Sequence, residues 1–572
     1  MDIEDRGPDP PPRKEMRLPS QQTVSIAVLS SFILILAAGL VAFAVPLVNV
    51  GTGKDLGHML PASTVAYVSL DLNPSGSSGT NWNRIVHAFT NQPGWQSETR
   101  TFDQLKGSSP NSSDCYQQTE GQISSHLGQL GHASAIALVP APGMHPLATG
   151  AATTIKQSIV FLAALHVRMT IIQVVSAFPL TIPHQTETYR GVPIYRETFP
   201  ECGAVNAAAP QAVYAAVDQG YVLLGLLPAP IKRVIDTAAG KAPDLASTAV
   251  YSSLMKRVTP GGLATYYLNG AAFSRLGVGQ LALPSTTTPS ARTESSAASV
   301  YAEAHGLRVL AIGSSPAAGA SASHSAGLIA KKLPADTLGL LSLGSGKAIL
   351  NAVERSARGL LSSSLSGLFP AAVTPLIRDF SQSMSGELDL ALETPSKPLT
   401  LSGVGAGAGL PLSLLWQVSS PATAQRDMTD LVRRLLPNAR FRLVTLPDGA
   451  TYRVTVNRYG YAVRNGWAVM SLSIPGILQQ LSTPPSAPLA ATVGYQHAIS
   501  PGTKPGSLFL LNVQGLRLQF ENSLLPGLNV QMRTQYQSYV QPLLAPIQTI
   551  SESTGNSGNG KYSVSTAFIG IG

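Results

Sequence analysis

The sequence predicts an α+β protein: an N-terminal transmembrane helix followed by two tandem homologous units, each a mostly antiparallel sheet with helices packed on one face. Three observations support this fold class. Several sequence blocks occur twice in the same order. Short strand-like runs with tight turn signals outnumber the helical patterns, which favours antiparallel pairing. One long uncharged apolar stretch lies near the N-terminus.

The predicted duplication depends on five pairs of matching segments. They are Leu60–Leu70 with Leu333–Leu343, Tyr189-Arg190 with Tyr452-Arg453, Ala215–Leu224 with Tyr461–Leu472, Gly262–Gly270 with Ser507–Gly515, and Leu307–Gly313 with Val564–Gly570. A repeat of this length is typical of duplicated domains rather than of a solenoid. We therefore predict a first unit over residues 56–313, a linker over 314–327 and a second unit over 328–572.

Each unit is predicted to open in the same way. A Leu-Pro-Ala-x-Thr segment leads into an apolar strand, Val65–Leu72 or Leu338–Leu343, and a second strand follows after a variable region. An amphipathic helix comes next. In the second unit Ser420 is its expected cap, and its apolar side chains Met428, Leu431, Val432 and Leu435 recur at helical spacing.

A hairpin and a second helix are predicted to continue the unit. Asn465-Gly466 is a strong signal for a two-residue turn, because both residue types tolerate positive φ. The helix is expected to begin at Pro228 in the first unit and at Pro475 in the second. Two further strands close each unit.

The N-terminal region predicts a membrane anchor. No charged residue occurs from Leu18 to Gly53, and residues 24–45 are almost entirely apolar or small, which is long enough to cross a bilayer as a helix. We predict a cytoplasmic disordered tail over 1–22 and a signal-anchor helix over 23–48. The preceding cations are Arg6, Arg13, Lys14 and Arg17, so the bulk of the chain is expected outside the cytoplasm. Cleavage after Ala44 is the alternative.

Charge and cysteine content restrict the partners and the covalent links that the sequence allows. Charged residues make up 12% of the chain, and the net charge is +9, which suits anionic surroundings such as lipid headgroups or wall polymers. The cations are scattered, so nucleic acid is not an expected partner. Cys115 and Cys202 are the two cysteines. Their oxidising location would permit a disulfide, although isolated thiols are equally compatible with the sequence.

The sequence contains no recognisable metal or phosphate motif. The ten histidines show no i, i+4 pair, and two cysteines are too few for a zinc knuckle. Residues 344–347 (GSGK) resemble the end of a P-loop, but Leu341 replaces the first glycine and Ala348 replaces the hydroxyl residue. We predict no cofactor, no metal and no assigned catalytic or cofactor-binding residue.

Two weaker patterns keep an enzymatic alternative open. Ser253-Leu254-Met255-Lys256 matches the S-x-x-K of penicillin-binding proteins and β-lactamases, but neither S-D-N nor K-T-G accompanies it. Glu387, Asp389 and Glu393 would share one face of a strand. Such carboxylates serve glycosidases when the fold pairs them, but a solvated strand face is the expected interpretation.

The Leu-Pro-x-x-Thr strand starts and the duplicated layout resemble a bacterial family of single-pass, membrane-anchored extracytoplasmic proteins of unknown function. The resemblance covers most of 60–572 and implies no activity. We expect a non-enzymatic binding or scaffolding protein of the cell envelope, in contact with the membrane through its N-terminal helix. An envelope protein, a polymer or an apolar ligand would be its partner. The alternative is an envelope hydrolase or transpeptidase with a serine nucleophile.

Overall fold

The computed structural model describes eighteen stretches of the chain. They are residues 56–71, 76–93, 130–141, 158–165, 184–198, 212–258, 262–275, 295–314, 325–346, 383–395, 411–435, 440–445, 449, 451–455, 460–471, 474–499, 503–557 and 562–572. All structural statements below concern these residues.

Strands dominate the described chain. The strands are β1 Ala66–Asp71, β2 Leu130–Leu138, β3 Ile159–Leu165, β4 His184–Tyr189, β5 Val192–Thr198, β6 Ala212–Asp218, β7 Tyr221–Gly225, β8 Ala264–Leu268, β9 Ser296–Glu303, β10 Gly306–Ser314, β11 Gly339–Leu343, β12 Met384–Leu392, β13 Leu412–Val418, β14 Phe441–Thr445, β15 Thr451–Thr455, β16 Gly460–Arg464, β17 Trp467–Ser471, β18 Lys504–Asn512, β19 Ile547–Asn556 and β20 Tyr562–Ile571.

Helices occupy the connections. The α-helices are α1 Gly76–Thr90, α2 Pro228–Ala238, α3 Ala249–Met255, α4 Gly270–Arg275, α5 Pro421–Leu435, α6 Ile474–Ser482, α7 Val493–Ala498, α8 Val513–Ser523, α9 Val530–Gln535 and α10 Gln541–Leu544. A π-helical turn, Tyr536–Val540, joins α9 to α10. Four short 3₁₀ helices are Leu56–His58, Leu328–Lys331, Leu489–Ala491 and Leu525–Gly527.

The twenty described strands form one sheet in which every pairing is antiparallel. The pairings give the order β4-β5-β6-β7-β3-β2-β1-β8-β9-β10-β20-β19-β18-β11-β12-β13-β17-β16-β15-β14. The α+β class with a large antiparallel sheet is therefore confirmed.

The first half, β1–β10, and the second half, β11–β20, have the same pairing pattern. β1 lies between β2 and β8, just as β11 lies between β12 and β18. Asn269 directly follows β8, and Asn512 is the last residue of β18. The side-chain oxygen of each accepts a backbone N–H three residues further on, at 3.1 and 2.8 Å. Each asparagine thus caps the helix that follows its strand.

Two of the five sequence matches are wrong: one joins different strands of the pattern, and the other is shifted in register. Tyr189 ends β4 and Arg190 lies in the turn after it, whereas Tyr452-Arg453 lie inside β15, whose position in the pairing pattern corresponds to β5. The caps align Asn269 with Asn512, two residues away from the match predicted between 262–270 and 507–515. A shift of two residues leaves the same side chains on the same face of the strand, so the pattern alone could not detect it.

The halves are joined through their closing strands. β10 pairs with β20 along nine residues, from Gly306 opposite Gly570 to Ser314 opposite Tyr562. Each closing strand would otherwise present a row of unpaired N–H and C=O groups. The halves therefore share one hydrogen-bonded sheet.

Side chains reinforce this junction. Glu303 of the first half accepts from Arg308 at 2.9 Å, and its other oxygen lies 2.5 Å from His497 Nδ1 in the second half. The same Arg308 donates to the His497 carbonyl at 2.8 Å, and the His497 ring stacks on Phe568 at 4.6 Å. All four side chains are largely shielded from solvent, so the ion pair is weakly screened there.

Helices cover both faces of the sheet, which corrects the prediction of one covered face. Leu415 packs in the core beneath α6, while its neighbour Trp416 packs with Met428 and Val432 of α5. Consecutive strand residues point to opposite faces, so α5 and α6 lie on opposite sides. In the first half α1 and α2 are divided in the same way. The cause is visible in LSLLWQV of β13, an apolar run suited to burial on both faces.

Several local predictions are confirmed. Asn465 and Gly466 have φ of 50° and 77°, as a two-residue hairpin turn of this type requires, and they join β16 to β17. α2 begins at Pro228 and buries Ile231, Val234 and Ile235.

Other predictions lie outside the described residues. They are the tail over 1–22, the anchor helix over 23–48, most of the linker, and Cys115 and Cys202. Among the helices that the structure describes, none has the length and apolar character needed to span a bilayer.

We expect Gly306→Ala to lower the free energy of unfolding by about 2–4 kcal/mol. Gly306 has a φ of 152°, and a Cβ there would lie 1.9 Å from the carbonyl oxygen of Ile569 across the junction. Urea denaturation of the full-length protein in detergent would measure the change. Gly313→Ala is the control, since its Cβ would meet only the Ser563 hydroxyl, which can rotate away. Equal effects of the two substitutions would contradict the β10–β20 register.

Candidate functional site

Three carboxylates lie on one face of β12, as the sequence predicts. Glu387 and Asp389 are 0% exposed and Glu393, just beyond the strand, is 6% exposed. The expected solvated strand face is therefore wrong, because this is the face that packs beneath α6 and α7 in the second half. Carboxylates are rarely buried to this degree without a pairing cation, and no described Lys, Arg or His forms an ion pair with any of the three.

Glu387 has a structural role that its contacts define. Its Oε1 accepts from the Gly327 amide at 2.5 Å and from the Ser342 hydroxyl, and its Oε2 accepts from the Leu328 amide at 3.0 Å. These amides precede and begin the 3₁₀ helix Leu328–Lys331. Glu387 thus holds the entry of the second half against the sheet by charge-assisted hydrogen bonds.

Asp389 lies beside this arrangement and has less support. It is directly opposite Ser342 in the β11–β12 pairing, but the Ser342 hydroxyl is directed to Glu387. Neither carboxyl oxygen of Asp389 makes a hydrogen bond of normal geometry to a described residue, although the Ser342 hydroxyl and the Glu387 carboxylate are its polar neighbours. Burial, together with the charge of Glu387, raises the pKa of Asp389 well above its usual range. Burial therefore favours the protonated form of Asp389.

Glu393 forms a second polar group on the same face. Ser413 Oγ lies 2.5 Å from Glu393 Oε1 and 2.7 Å from Ser471 Oγ, which makes a short chain of hydroxyls across β13 and β17. Burial raises the pKa of Glu393 to about 7, and the hydrogen bond from Ser413 partly offsets that rise. Glu393 consequently changes charge within the physiological range.

The first half shows that the fold does not require these groups. The shared pairing pattern places Ala135 at the position of Asp389, Val139 at Glu393, and Val160 at Ser413. All three are fully buried apolar residues. The same sheet therefore folds with an apolar layer in one half and, in the other, with the layer of Glu387, Asp389 and Glu393 that we call the acidic layer.

The chemistry open to the acidic layer is limited by its burial. General acid–base catalysis requires the carboxyl group to reach its substrate, and none of these three side chains has more than 6% exposure. Among the described residues, no group of three His, Cys, Asp or Glu is arranged to hold a metal ion. The property that follows directly from the burial of these carboxylates is a dependence of folding stability on their protonation.

The S-x-x-K residues do not form an activated nucleophile. Ser253 Oγ donates to the Val250 carbonyl at 2.9 Å within α3, and Lys256 is an exposed residue just after the helix. No hydrogen bond between Ser253 and Lys256 occurs in this described segment. A serine nucleophile needs a base within hydrogen-bonding reach, so the arrangement lacks the required pair.

The loop that resembles a P-loop and two of the described histidines also have structural surroundings. A Cβ on Gly346 would lie 2.8 Å from Leu388 Cβ, so this loop packs against β12, while Lys347 lies outside the described residues. His58 pairs with Asp244 at 2.8 Å, and His497 belongs to the junction of the two halves. These contacts explain the residues without a ligand.

The sequence reasoning missed a surface feature between β18 and β19. We call residues 513–544, which comprise α8 to α10, the helical lobe. Six large apolar side chains in it are more than 40% exposed: Leu518, Val530, Met532, Tyr539, Val540 and Leu543. Only three charged residues occur there, Arg517, Glu521 and Arg533. This low charge density beside apolar residues was the available signal.

Internal contacts give the helical lobe a defined shape. The Phe520 and Tyr536 rings lie 4.9 Å apart, and Glu521 Oε1 accepts from Tyr536 at 2.9 Å and from Gln541 at 3.1 Å. α8 is thereby fixed to the π-helical turn and α10. Burial and the Glu521 carboxylate raise the pKa of Tyr536 to about 12, so its hydroxyl stays protonated and donates.

Fold and site together define a class: an antiparallel α+β protein with a twenty-stranded sheet, a sealed acidic layer and an exposed apolar lobe. Residues 179–568 match the family described as "Protein of unknown function (DUF3352)". The chain belongs to this family, since the match covers more than half of it. No curated protein matches the chain.

Two solved structures are similar to part of the chain. Crystal form III of TP0453 is 10% identical, with a TM-score of 0.22, over 40% of this chain and 78% of that one. Crystal form IV of TP0453 is also 10% identical, with a TM-score of 0.21, over 41% of this chain and 92% of that one. A likeness at this level carries no argument about fold or function.

We expect Glu393→Gln to remove a pH dependence of stability. The pKa of Glu393 is raised from 4.5 to about 7, so the folded state holds a proton that the unfolded state releases between these values. Stability contributed by this group is full below pH 4.5 and is lost as pH rises to about 7, by roughly 3 kcal/mol. Glutamine is neutral throughout, so the variant should be the more stable protein at pH 8.

Urea denaturation at pH 5 and pH 8 would measure this difference. Asp430→Asn, on the exposed side of α5, changes the same formal charge without burial and should leave the pH dependence as in the parent. An unchanged slope in Glu393→Gln would contradict the raised pKa.

We expect Asp389→Ala to stabilise the protein by about 1–3 kcal/mol at pH 8. The substitution installs the residue type that the first half carries as Ala135, and it removes a buried acid whose ionised form is opposed by burial and by the Glu387 charge. The gain should grow with pH, since the unfolded parent is increasingly stabilised by ionisation. Glu387→Ala is the matched control and should destabilise, because it deletes three hydrogen bonds. A destabilising Asp389→Ala would argue that Asp389 holds a partner.

Proposed function

We propose that the protein is a single-pass, membrane-anchored extracytoplasmic protein that binds or scaffolds at the cell envelope and is not an enzyme. The helical lobe carries this proposal. It presents six exposed large apolar side chains in a stretch with three charged residues. Exposed apolar patches on folded proteins mark interaction sites.

The exposed helical lobe contrasts with the candidate catalytic side chains, which are buried or hydrogen-bonded within the fold. The buried carboxylates Glu387, Asp389 and Glu393 are sealed beneath helices, and Ser253 is bonded to its own helix. A surface for association is thus exposed, whereas these three carboxylates are enclosed. This contrast favours binding over the hydrolase or transpeptidase alternative, and no observation favours that alternative.

The membrane part of the proposal rests on the sequence. Residues 24–45 are almost entirely apolar or small and are preceded by four cations. A span of this length crosses a bilayer, and the cations orient it with the N-terminus inside. The body from Leu56 onwards would then lie outside the cytoplasm.

We also propose that the two halves arose by duplication of one unit. The shared pairing pattern and the matched caps Asn269 and Asn512 support a common origin. The halves have since diverged in chemistry, since one has Ala135 and Val139 where the other has Asp389 and Glu393. Scaffolding benefits from such a joined pair, because the shared sheet fixes the geometry between the two halves.

We expect the full-length chain to stay in the membrane fraction after alkaline carbonate extraction, because its apolar span resists removal. In spheroplasts, added protease should digest the described body while sparing residues before the span. A variant with Leu36→Arg and Leu40→Arg is the control, since two charges at the centre of the span oppose insertion. Extraction of the unaltered chain into the soluble fraction would contradict the proposed membrane anchor.

The enzymatic alternative is tested in the same membranes. A serine-reactive fluorophosphonate should leave Ser253 unlabelled, because its hydroxyl donates to Val250 and no base adjoins it. Labelling that disappears in Ser253→Ala would overturn the non-enzymatic assignment.

A further inference from the structure

We propose that the helical lobe docks on the surface of the bilayer that anchors the chain, with its exposed apolar side chains entering the interface between headgroups and acyl chains. This inference rests on the proposed function and names the partner of the same lobe as a lipid surface carrying anionic headgroups.

The composition of the helical lobe fits a membrane interface. Tyr539, Val540 and Leu543 lie within about one turn of each other and are each 42–45% exposed, and Val530 and Met532 are exposed further. Helices that lie in the interface combine such an apolar surface with low net hydrophobicity and basic residues. Glutamines at positions such as 535 and 537 supply neutral polar groups between the apolar side chains. Tyrosine is a residue type enriched at the level of the headgroups.

The charge of the helical lobe favours anionic lipid. Arg517 and Arg533 are the two cations of the lobe, and Oε1 of its one acidic residue, Glu521, accepts hydrogen bonds from Tyr536 and Gln541. The whole chain carries a net charge of +9. Cations near an anionic surface each add to its attraction, so charge and apolar contact act in the same direction.

The predicted anchor places a bilayer within reach. The span is predicted to end at residue 48, and the described fold begins at Leu56. Seven intervening residues extend at most roughly 25 Å. The body is therefore tethered at high effective concentration to lipid, so even a weak interfacial contact would be populated.

Quenching of tryptophan by brominated lipid tests the proposal on the full-length chain in nanodiscs of phosphatidylcholine and phosphatidylglycerol. Tyr539→Trp places a reporter in the helical lobe, and Leu443→Trp places one on β14, where Leu443 is 65% exposed. Emission of the first reporter should fall when brominated phosphatidylcholine replaces the ordinary lipid, and emission of the second should not. The unsubstituted chain supplies the background of its four native tryptophans.

Matched variants distinguish apolar contact with the lipid from an effect of charge. Val540→Asp with Leu543→Asp, added to Tyr539→Trp, should abolish the quenching. Gln535→Asp with Gln537→Asp introduces the same charge on the same helical run without removing an apolar side chain, and should retain most of it. All four positions are exposed, so folding is expected to be unaffected, and circular dichroism would check this. Equal loss in both double variants would leave only a charge effect and overturn apolar docking.

Other outcomes also decide the question. A chain that co-elutes with nanodiscs while Tyr539→Trp stays unquenched would overturn lipid docking and leave the proposed function intact. Protection of the helical lobe from hydrogen exchange that depends on protein concentration and not on lipid would replace the bilayer by a second copy. A chain that does not enter nanodiscs would refute the anchor, and brominated vesicles added to it would still decide whether the lobe binds lipid.

Discussion

The architecture depends on the antiparallel pairing of β10 with β20. Those nine residue pairs turn two sheets that would each expose an edge into one sheet. The contacts of Glu303, Arg308 and His497 then lock the two halves at a fixed orientation. Without this pairing, each half would be a separate domain with a polar edge. The positions of the acidic layer and of the helical lobe relative to the first half would then be undefined.

The two halves form an internal comparison that few proteins offer. The same strand order encloses Ala135 and Val160 in one half and Asp389 and Ser413 in the other. The pairing pattern is common to both halves, so they differ at these positions in side-chain chemistry. Burial of ionisable groups weakens a fold unless they are paired, which makes the acidic layer a departure from what stability by itself would select.

Local patterns made part of the fold predictable. The spacing of Ile231, Val234 and Ile235 identified α2, and Asn465-Gly466 identified a hairpin turn, because both signals lie within a few adjacent residues. The β10–β20 pairing has no such signal, since its strands are separated by more than 240 residues and any apolar strand could pair at that edge. The burial of Glu387 and Asp389 was equally hidden, because alternating polar residues normally indicate a solvent-facing strand. The exposed helical lobe was not predicted, because apolar residues in a sequence normally indicate a buried core.

The position of β20 along the chain has a consequence for the order of assembly. β10 emerges from the ribosome first, and its partner follows some 250 residues later, which at ordinary rates of synthesis is a delay of roughly 12–50 s. During that interval the first half must hold an open strand edge, and foreign strands could pair there. Accessory proteins that shield nascent chains would therefore act on this edge, and truncated chains lacking β20 would be the form most prone to aggregate.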